Sequence, residues 1–338
     1  MDERITNDLG NISRRSVRNQ RSEVLEERLA QLNRFLESAV SHRPRFMKIA
    51  YPPVFIVGCP RSGSTLLMQD LLRRGGVACP TNLMSRFYGD PWVGALAHRI
   101  LFELDYRGEI FQDHAEVEPI SDLGKTIGAH APHEFWYWWR RYFHFEHDHG
   151  RVPEISRGMR DRFRADLAGM TSVFERSMLL KAMIMDWNIP MLHALVPEAV
   201  FIFLERDLEA NASSLLNARE AFYGDRNEWW AFRPPEIDDL LRKESLEQVF
   251  AQVRLTNDAV RQGMRSLPPE RSLHWRYERF CKAPGEHHQQ LMELLGAAPG
   301  GANGAVAAYP ISPPNWPSDV PTARIEELID RYSLRDST

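Results

Sequence analysis

Apolar positions follow two periods along this chain. Leu25, Leu29, Leu32 and Leu36 recur at spacings of four, three and four, which predicts an amphipathic helix of about five turns over 22–43, ended by Pro44. Such a helix either packs on its own domain or pairs with a second copy as a coiled-coil homodimer, for which three heptads are barely enough. The other pattern is the short continuous apolar run. Val54–Val57 (VFIV) and Ala199–Leu204 (AVFIFL) read as strands buried on both faces, and Met178–Leu180 and Leu273–Arg276 as further strands. Helical spacing follows each of them: Leu66, Leu67, Leu71 and Leu72 up to about Arg74, then Met191–Leu195, then Leu215 and Leu216, then Leu291, Leu294 and Leu295. Strands alternating with helices predict an α/β fold, a parallel sheet flanked by helices on both faces.

Three stretches break the alternation. Residues 1–21 are polar, with Arg14, Arg15, Arg18 and Arg21, and read as a flexible arm. Residues 84–175 are helical in texture and rich in Trp and Tyr, and read as a helical insertion. Residues 296–321 are rich in Gly, Ala and Pro and read as an extended loop, with a last short helix over Thr322–Tyr332. The folded part is then a single domain over 52–338, and no internal repeat is visible.

Composition narrows the classes. Of the 338 residues 43% are hydrophobic and 26% charged, which excludes wholesale disorder. A net charge of −4 argues against general nucleic-acid binding. The three cysteines, Cys59, Cys79 and Cys281, are odd in number and lack metal-type spacing, which favours a reducing compartment. No 18-residue apolar stretch or secretory signal is visible, so no transmembrane segment and a cytoplasmic location are expected.

The chemistry concentrates in Gly58-Cys59-Pro60-Arg61-Ser62-Gly63-Ser64-Thr65, between a predicted strand and a predicted helix. Its spacing is that of a phosphate loop. Glycines let the backbone curl around an anion, and a helix N-terminus adds about half a positive charge. A nucleoside triphosphatase has Lys where this chain has Ser64. Here the cation is Arg61, inside the loop, which suits an anion shorter than a triphosphate. The plainer alternative is a strand–helix turn with no ligand.

The segment VFIVGCPRSGSTLLMQDLL resembles the 5′-phosphosulfate loop of sulfotransferases that use 3′-phosphoadenosine 5′-phosphosulfate (PAPS), in the variant of the bacterial and tyrosyl-protein-type branches. Within VFIFLERDLEANASSLL, Arg206 and Ser214 have the spacing of the family's 3′-phosphate pair, an Arg at a strand end and a Ser eight residues on. Positions 207, 211 and 214 fall on one helix face, which lets Ser214 sit beside that strand end. Leu179-Leu180-Lys181 resembles the family's strand ending in Lys. Tyr277-Glu278-Arg279, with Pro284 beyond it, resembles the segment whose Tyr contacts adenine. The resemblance covers about 52–295.

It implies a P-loop sulfotransferase moving a sulfuryl group from PAPS, with no metal required, to a hydroxyl or amine of a small-molecule, lipid or carbohydrate acceptor. The implied donor site is Pro60, Arg61, Ser62, Gly63, Ser64, Thr65, Arg206, Ser214 and Tyr277, with Arg61 and Lys181 as catalytic cations. The chain departs from the family after Lys181, where K-S-P-R is replaced by Lys181-Ala182-Met183-Ile184. The positions of the family's usual His and Glu hold Met183 and Asn82. The candidates for a base are therefore His130, His133 and Glu134, in Gly128–Trp136. The run Phe135–Trp139 with Tyr142, Phe143 and Phe145 is either core or an acceptor wall. His144, Glu146, His147, Asp148 and His149 lack metal-site spacing and read as a solvated turn ending at Gly150. The competing functions are a P-loop kinase or NTPase, and a nucleotide-binding scaffold without activity.

Overall fold

A computed structural model of the chain describes residues 15–16, 19–20, 22–40, 46, 48–105, 107–110, 121–122, 124–150, 155–298 and 306–333. The apolar runs become one sheet of five strands: β1 (Val54–Val57), β2 (Val77–Ala78), β5 (Ser177–Lys181), β6 (Val200–Glu205) and β7 (Ser272–Arg276). Their order is β2-β5-β1-β6-β7 and every pairing is parallel. β1 lies at the centre, with Val54 beside both Leu179 and Val200.

Side-chain alternation explains why these runs carry no polar positions. Phe55 and Val57 of β1 join Leu180, Phe201 and Phe203 in one core, while Val54 and Ile56 join Leu179, Val200, Ile202 and Leu204 in the other. Both faces of the central strands must therefore be apolar, and each fully buried side chain contributes about 1.5–3 kcal/mol. The second core is covered by the helices Ser64–Arg74 and Pro284–Leu295 through Leu67, Met68, Leu71, Leu291 and Met292. The first is covered by Trp136–Tyr142, Arg157–Phe174 and Ile189–Leu195. Here a buried carboxylate organises the aromatic run: Asp166 accepts from Trp138 Nε1 (3.0 Å), Tyr142 OH (2.5 Å) and Arg141 (3.4 Å).

The observed elements differ from the sequence pattern in particular places. The N-terminal helix spans Glu23–Ala39 and packs on its own domain, but its inner seam is Leu29, Asn33 and Leu36, with Leu25 and Leu32 exposed. Asn33 replaces leucine in the seam because it ties the helix down. Its Nδ2 donates to Leu29 O (2.8 Å) and Arg86 O (2.9 Å), and its Oδ1 accepts from Gly89 N (2.6 Å). Residues 41–45, where Pro44 was expected to stop the helix, lie outside the described residues. The insertion holds a two-stranded antiparallel hairpin, β3 (Ser121–Asp122) and β4 (Lys125–Thr126), that no alternation announced. The 20-residue helix Ser245–Met264 was also not anticipated. The final helix is Thr322–Tyr332 as expected. Ahead of it, the described part of the 296–321 loop is pinned to the domain: Tyr309 OH donates to Asp70 (2.7 Å) and Tyr309 N to Cys281 O (2.7 Å).

Part of the described stretch of the arm is packed, while Gln20 is exposed. Arg15 and Asn19 are buried, and Ser16 N donates to Phe222 O (3.0 Å). The rest of the expected arm lies outside the described residues. No helix among the described residues is long and apolar enough to cross a membrane.

Candidate functional site

The phosphate loop leaves the C-terminal end of β1, between β5 and β6. Its entry is fixed by Gly58 N, which donates to the buried Asp186 Oδ1 at 3.1 Å; burial holds that carboxyl well above the ordinary carboxylate range. Its exit is Gly63, the N-cap of the Ser64–Arg74 helix, at φ +96°. A Cβ at position 63 would lie 2.3 Å from two carbons of the Tyr277 ring, so both the left-handed backbone and the close approach require glycine. The first amides of the helix lack intrahelical acceptors and are available to an anion.

Two arginines meet above this loop. Arg206, just past β6, donates from Nη1 to Arg61 O (3.1 Å) and from Nη2 to Ser312 O (3.2 Å), and its guanidinium lies 5.0 Å from the centre of the Tyr277 ring. Arg61 Nε donates to Ser214 Oγ (3.2 Å). Burial, and then the charge of Arg206, lower the pKa of Arg61. The helix face expected from positions 207, 211 and 214 is present. Asp207 caps the helix by accepting from Ala210 N (2.9 Å), Asn211 donates to Pro60 O (2.8 Å), and Ser214 meets Arg61. Arg61, Ser214, Arg206 and Tyr277 thus form one cluster on the loop.

A third cation arrives from the neighbouring strand. Lys181, at the end of β5 and only 3% exposed, donates from Nζ to Thr65 Oγ1 (2.6 Å) and to Glu134 Oε1 (3.1 Å). Glu134 Oε2 accepts from Trp136 Nε1 (2.6 Å). Phe135, at φ +61°, makes the turn that brings Glu134 and Trp136 to one side. Gly124, at φ +87°, passes so near that a Cβ would lie 3.2 Å from Glu134 Oε1 and 3.7 Å from Thr65 Oγ1.

The remaining expected residues are placed as follows. His133 reaches the cavity, but its Nδ1 accepts from Phe135 N (2.9 Å) and burial lowers its pKa to about 4. It is a neutral ring whose other nitrogen carries the proton. His130 does not line the cavity; its ring packs 5.3 Å from that of Phe102. Ser62 is buried, its hydroxyl has no hydrogen-bond partner among the described residues, and it does not line the cavity. Pro60, Gly63, Ser64 and Thr65 line the cavity. Ser64 Oγ points to Met183 Sδ (3.7 Å). Asn82 clamps the hairpin's exit, donating to Gly128 O (2.8 Å) and Thr126 Oγ1 (3.1 Å). The aromatic run divides between roles: Trp138, Trp139, Tyr142 and Phe143 are core, while Trp136 and Tyr137 face the cavity. The turn expected to be solvated carries a buried residue, since His149 accepts from Arg233 N (3.0 Å) and stacks on Phe145 with ring centroids 4.5 Å apart.

The cavity shared by these groups has a volume of about 970 Å³, at the upper end of the ~300–1,000 Å³ usual for small-molecule sites. Sequence reasoning did not find Trp229, Trp230 and Phe232 on its wall, nor Ser312 and Asn315 beside Arg206 and Ser213. The signal for the first group was Glu228-Trp229-Trp230-Ala231-Phe232, an aromatic cluster in a segment of no regular period. For the second there was none, because a Pro-rich tail has no pattern that says what it crosses.

Two solved structures share the fold. The chain aligns with sulfotransferase STF1 from Mycobacterium tuberculosis H37Rv at 14% identity and a TM-score of 0.55, over 98% of this chain and 89% of that one. With sulfotransferase STF9 from Mycobacterium avium the identity is 12% and the TM-score 0.52, over 98% and 81%. At such identities the likeness is one of fold alone. No curated protein sequence is matched. A family model described as the sulfotransferase family matches residues 52–298, which take in the phosphate loop, Lys181, Arg206 and Tyr277, and the chain belongs to that family.

Proposed function

We propose that this protein moves a sulfuryl group from PAPS to an acceptor hydroxyl. The observation that carries the reading is the meeting of two clusters on one loop: Arg61 with Arg206 and Ser214 on one side, and Lys181 with Thr65 and Glu134 on the other. The first suits a donor with two separated anionic groups. Two guanidiniums side by side are favourable when an anion lies between them. The loop amides with Ser64 and Thr65 would take the 5′-phosphate end, Arg206 and Ser214 the 3′-phosphate, and Tyr277 a flat ring. Sulfuryl transfer breaks the S–O bond to the 5′-phosphate and forms one to the acceptor oxygen. Charge grows on the departing phosphate oxygen, where Lys181 and Arg61 can balance it.

Glu134 is the proposed acceptor of the hydroxyl proton. It is a carboxylate beside the loop, held by Lys181 and Trp136. His133 is the weaker choice because its Nδ1 is engaged by a backbone amide and its pKa lies at about 4. The kinase reading is disfavoured by Ser64 at the position of the triphosphate-binding lysine. Calorimetric titration with adenosine 3′,5′-bisphosphate and with ATP–Mg²⁺ tests the proposal. The bisphosphate is expected to bind at least tenfold more tightly, and preference for ATP–Mg²⁺ would refute the reading.

A further inference from the structure

Two unlike groups hold Glu134. Lys181 Nζ donates to its Oε1 (3.1 Å) and Trp136 Nε1 to its Oε2 (2.6 Å), so each carboxylate oxygen has one donor. Each oxygen carries two lone pairs, which leaves capacity to accept from a hydroxyl as well. The two holders do different things. An ammonium is a compact charge on a flexible stem with three rotatable donors, and a carboxylate can pivot about it. An indole offers a single N–H fixed in the plane of a rigid ring, so it sets a direction. Lys181 is shared with Thr65 Oγ1 (2.6 Å) on the phosphate loop, whereas Trp136 belongs to the aromatic wall of the cavity.

The indole is braced in turn. Its ring meets Phe232 edge-on, with centroids 5.2 Å apart and planes at 73°. Phe232 packs in the same manner on His149, at 5.0 Å and 71°. His149 is 2% exposed and closed onto the residue after Phe232 by two bonds, His149 N to Arg233 O (2.8 Å) and Arg233 N to His149 Nδ1 (3.0 Å). Its carbonyl accepts from Asn188 Nδ2 (2.7 Å). A line of contacts therefore runs from a buried imidazole through two rings to one oxygen of Glu134, while the other oxygen is tied to the loop. Such bracing matters to a base, which must lie within hydrogen-bond reach of the hydroxyl it deprotonates; a displacement of about 1 Å can cost about 10²-fold in rate.

We propose that Trp136 is a positioning residue for the transfer: braced by Phe232, its indole N–H sets the plane of the Glu134 carboxylate. In the step itself the acceptor O–H bond breaks as its oxygen bonds to sulfur, and the proton goes to Glu134. The S–O bond to the 5′-phosphate breaks and leaves its electron pair on the phosphate. Trp136 exchanges no atom. The proposal rests on Glu134 as the base and adds what aims it.

The test uses the full chain with PAPS as donor and 2-naphthol as the acceptor probe, and with PAPS alone, where water is the acceptor. Adenosine 3′,5′-bisphosphate is titrated first; failure to bind refutes the sulfuryl-transfer reading and takes this proposal with it. Trp136→Phe keeps a ring against Phe232 and deletes the N–H. It should lower kcat about 10- to 100-fold, as expected for a lost hydrogen bond to a charged group, with KM for 2-naphthol changed less than about threefold. In a Glu134→Gln background the same substitution should cost less than about threefold, because Trp136 acts through the carboxylate. An equal loss in both backgrounds, or a KM that rises while kcat holds, overturns the proposal. So does an unchanged kcat in Trp136→Phe where Glu134→Gln is impaired. An unchanged kcat in Glu134→Gln instead removes Glu134 as the base, and this proposal with it. A nitrogen-15 spectrum supplies a readout that needs no turnover. The indole N–H signal missing from Trp136→Phe should shift in Glu134→Gln more than any other indole signal, since its acceptor loses its charge. If neither acceptor is turned over the spectrum decides alone, and a signal that holds its place overturns the proposal.

Discussion

Replacing Arg206 by Ala tests the donor site at its most specific point. Arg206 is 9% exposed, so the loss of its charge is weakly screened. In the proposed complex its fork meets the 3′-phosphate, and a hydrogen bond to a charged group contributes about 1.5–3 kcal/mol. A two-pronged contact is therefore worth about 3 kcal/mol, or roughly a hundredfold in Kd for adenosine 3′,5′-bisphosphate. 5′-AMP has no 3′-phosphate, so its Kd should rise less than about threefold by the same reasoning. Arg206→Lys keeps the charge and loses the fork, and should recover about tenfold of the loss. Ser214→Ala removes a neutral hydroxyl and should weaken the bisphosphate about three- to tenfold. Titration calorimetry of both nucleotides against the four proteins reads these ratios directly. Arg206 also holds Arg61 O and Ser312 O. If it served only to prop those segments, the two nucleotides would weaken equally, and that result would refute the assignment.

Three further outcomes follow from named contacts. Glu134→Gln, with Trp136 and Lys181 both donating to the position, should lower the turnover of an acceptor hydroxyl about 10²–10⁴-fold while bisphosphate binding persists; turnover of donor followed chromatographically checks it, and an unchanged rate removes Glu134 as the base. Gly63→Ala forces a Cβ into Tyr277 at φ +96° and should abolish bisphosphate binding and lower Tm, both measurable on one purified sample. Acid should destabilise the fold: burial lowers the pKa of His98 and His133 to about 4 and of His149 to about 3, from 6.5. The unfolded chain then binds more protons below about pH 6.5, so stability falls as pH drops from there toward the folded values, on the order of 2 kcal/mol for each imidazole by pH 5. Urea midpoints at pH 7.5 and 5 read the fall, and His98→Phe, which removes a ring whose nitrogens have no hydrogen-bond partner among the described residues, should reduce it.

The sheet was legible in the sequence because strands buried on both faces leave no polar position to blur the pattern. Val54–Val57 and Ala199–Leu204 therefore mark their own ends closely. β2 was not legible, since two residues cannot show a period. The Ser245–Met264 helix escaped for a different reason: its buried positions include Glu247, Gln248, Gln252, Thr256 and Asn257, so polar side chains interrupt the apolar stripe. Gln248 and Gln252 are buried because both accept from Arg219. The N-terminal helix shows the same effect in Asn33, a buried amide filling backbone hydrogen bonds where the leucine pattern promised a methyl contact. Polar groups that are satisfied inside a fold look like surface in a sequence.

The candidate site divides along the same line. Its loop half is local: Arg61, Ser64 and Thr65 are fixed by a strand, two glycines and a helix start within eight residues, and Arg206 and Ser214 by one strand end and the helix that follows it. Its other half is assembled at long range. Glu134 reaches Lys181 across 47 positions and Lys181 reaches Thr65 across 116, and nothing local ties Asn19 to Lys125 across 106. Sequence could nominate Glu134 and His133 equally. What separates them is that Phe135 N donates to the His133 ring while Lys181 and Trp136 donate to the Glu134 carboxylate. The same contact that occupies the Nδ1 of one candidate begins the turn that delivers the other, because Phe135 at φ +61° both supplies the amide to His133 and redirects the chain so that Glu134 and Trp136 share a side. Disturbing that single backbone turn should therefore unseat the carboxylate and release the imidazole together. A role for His133 that emerges only when Phe135 is replaced by Pro, which fixes φ near −65° and removes the amide that donates to the ring, would be evidence for the turn, not for a second native base.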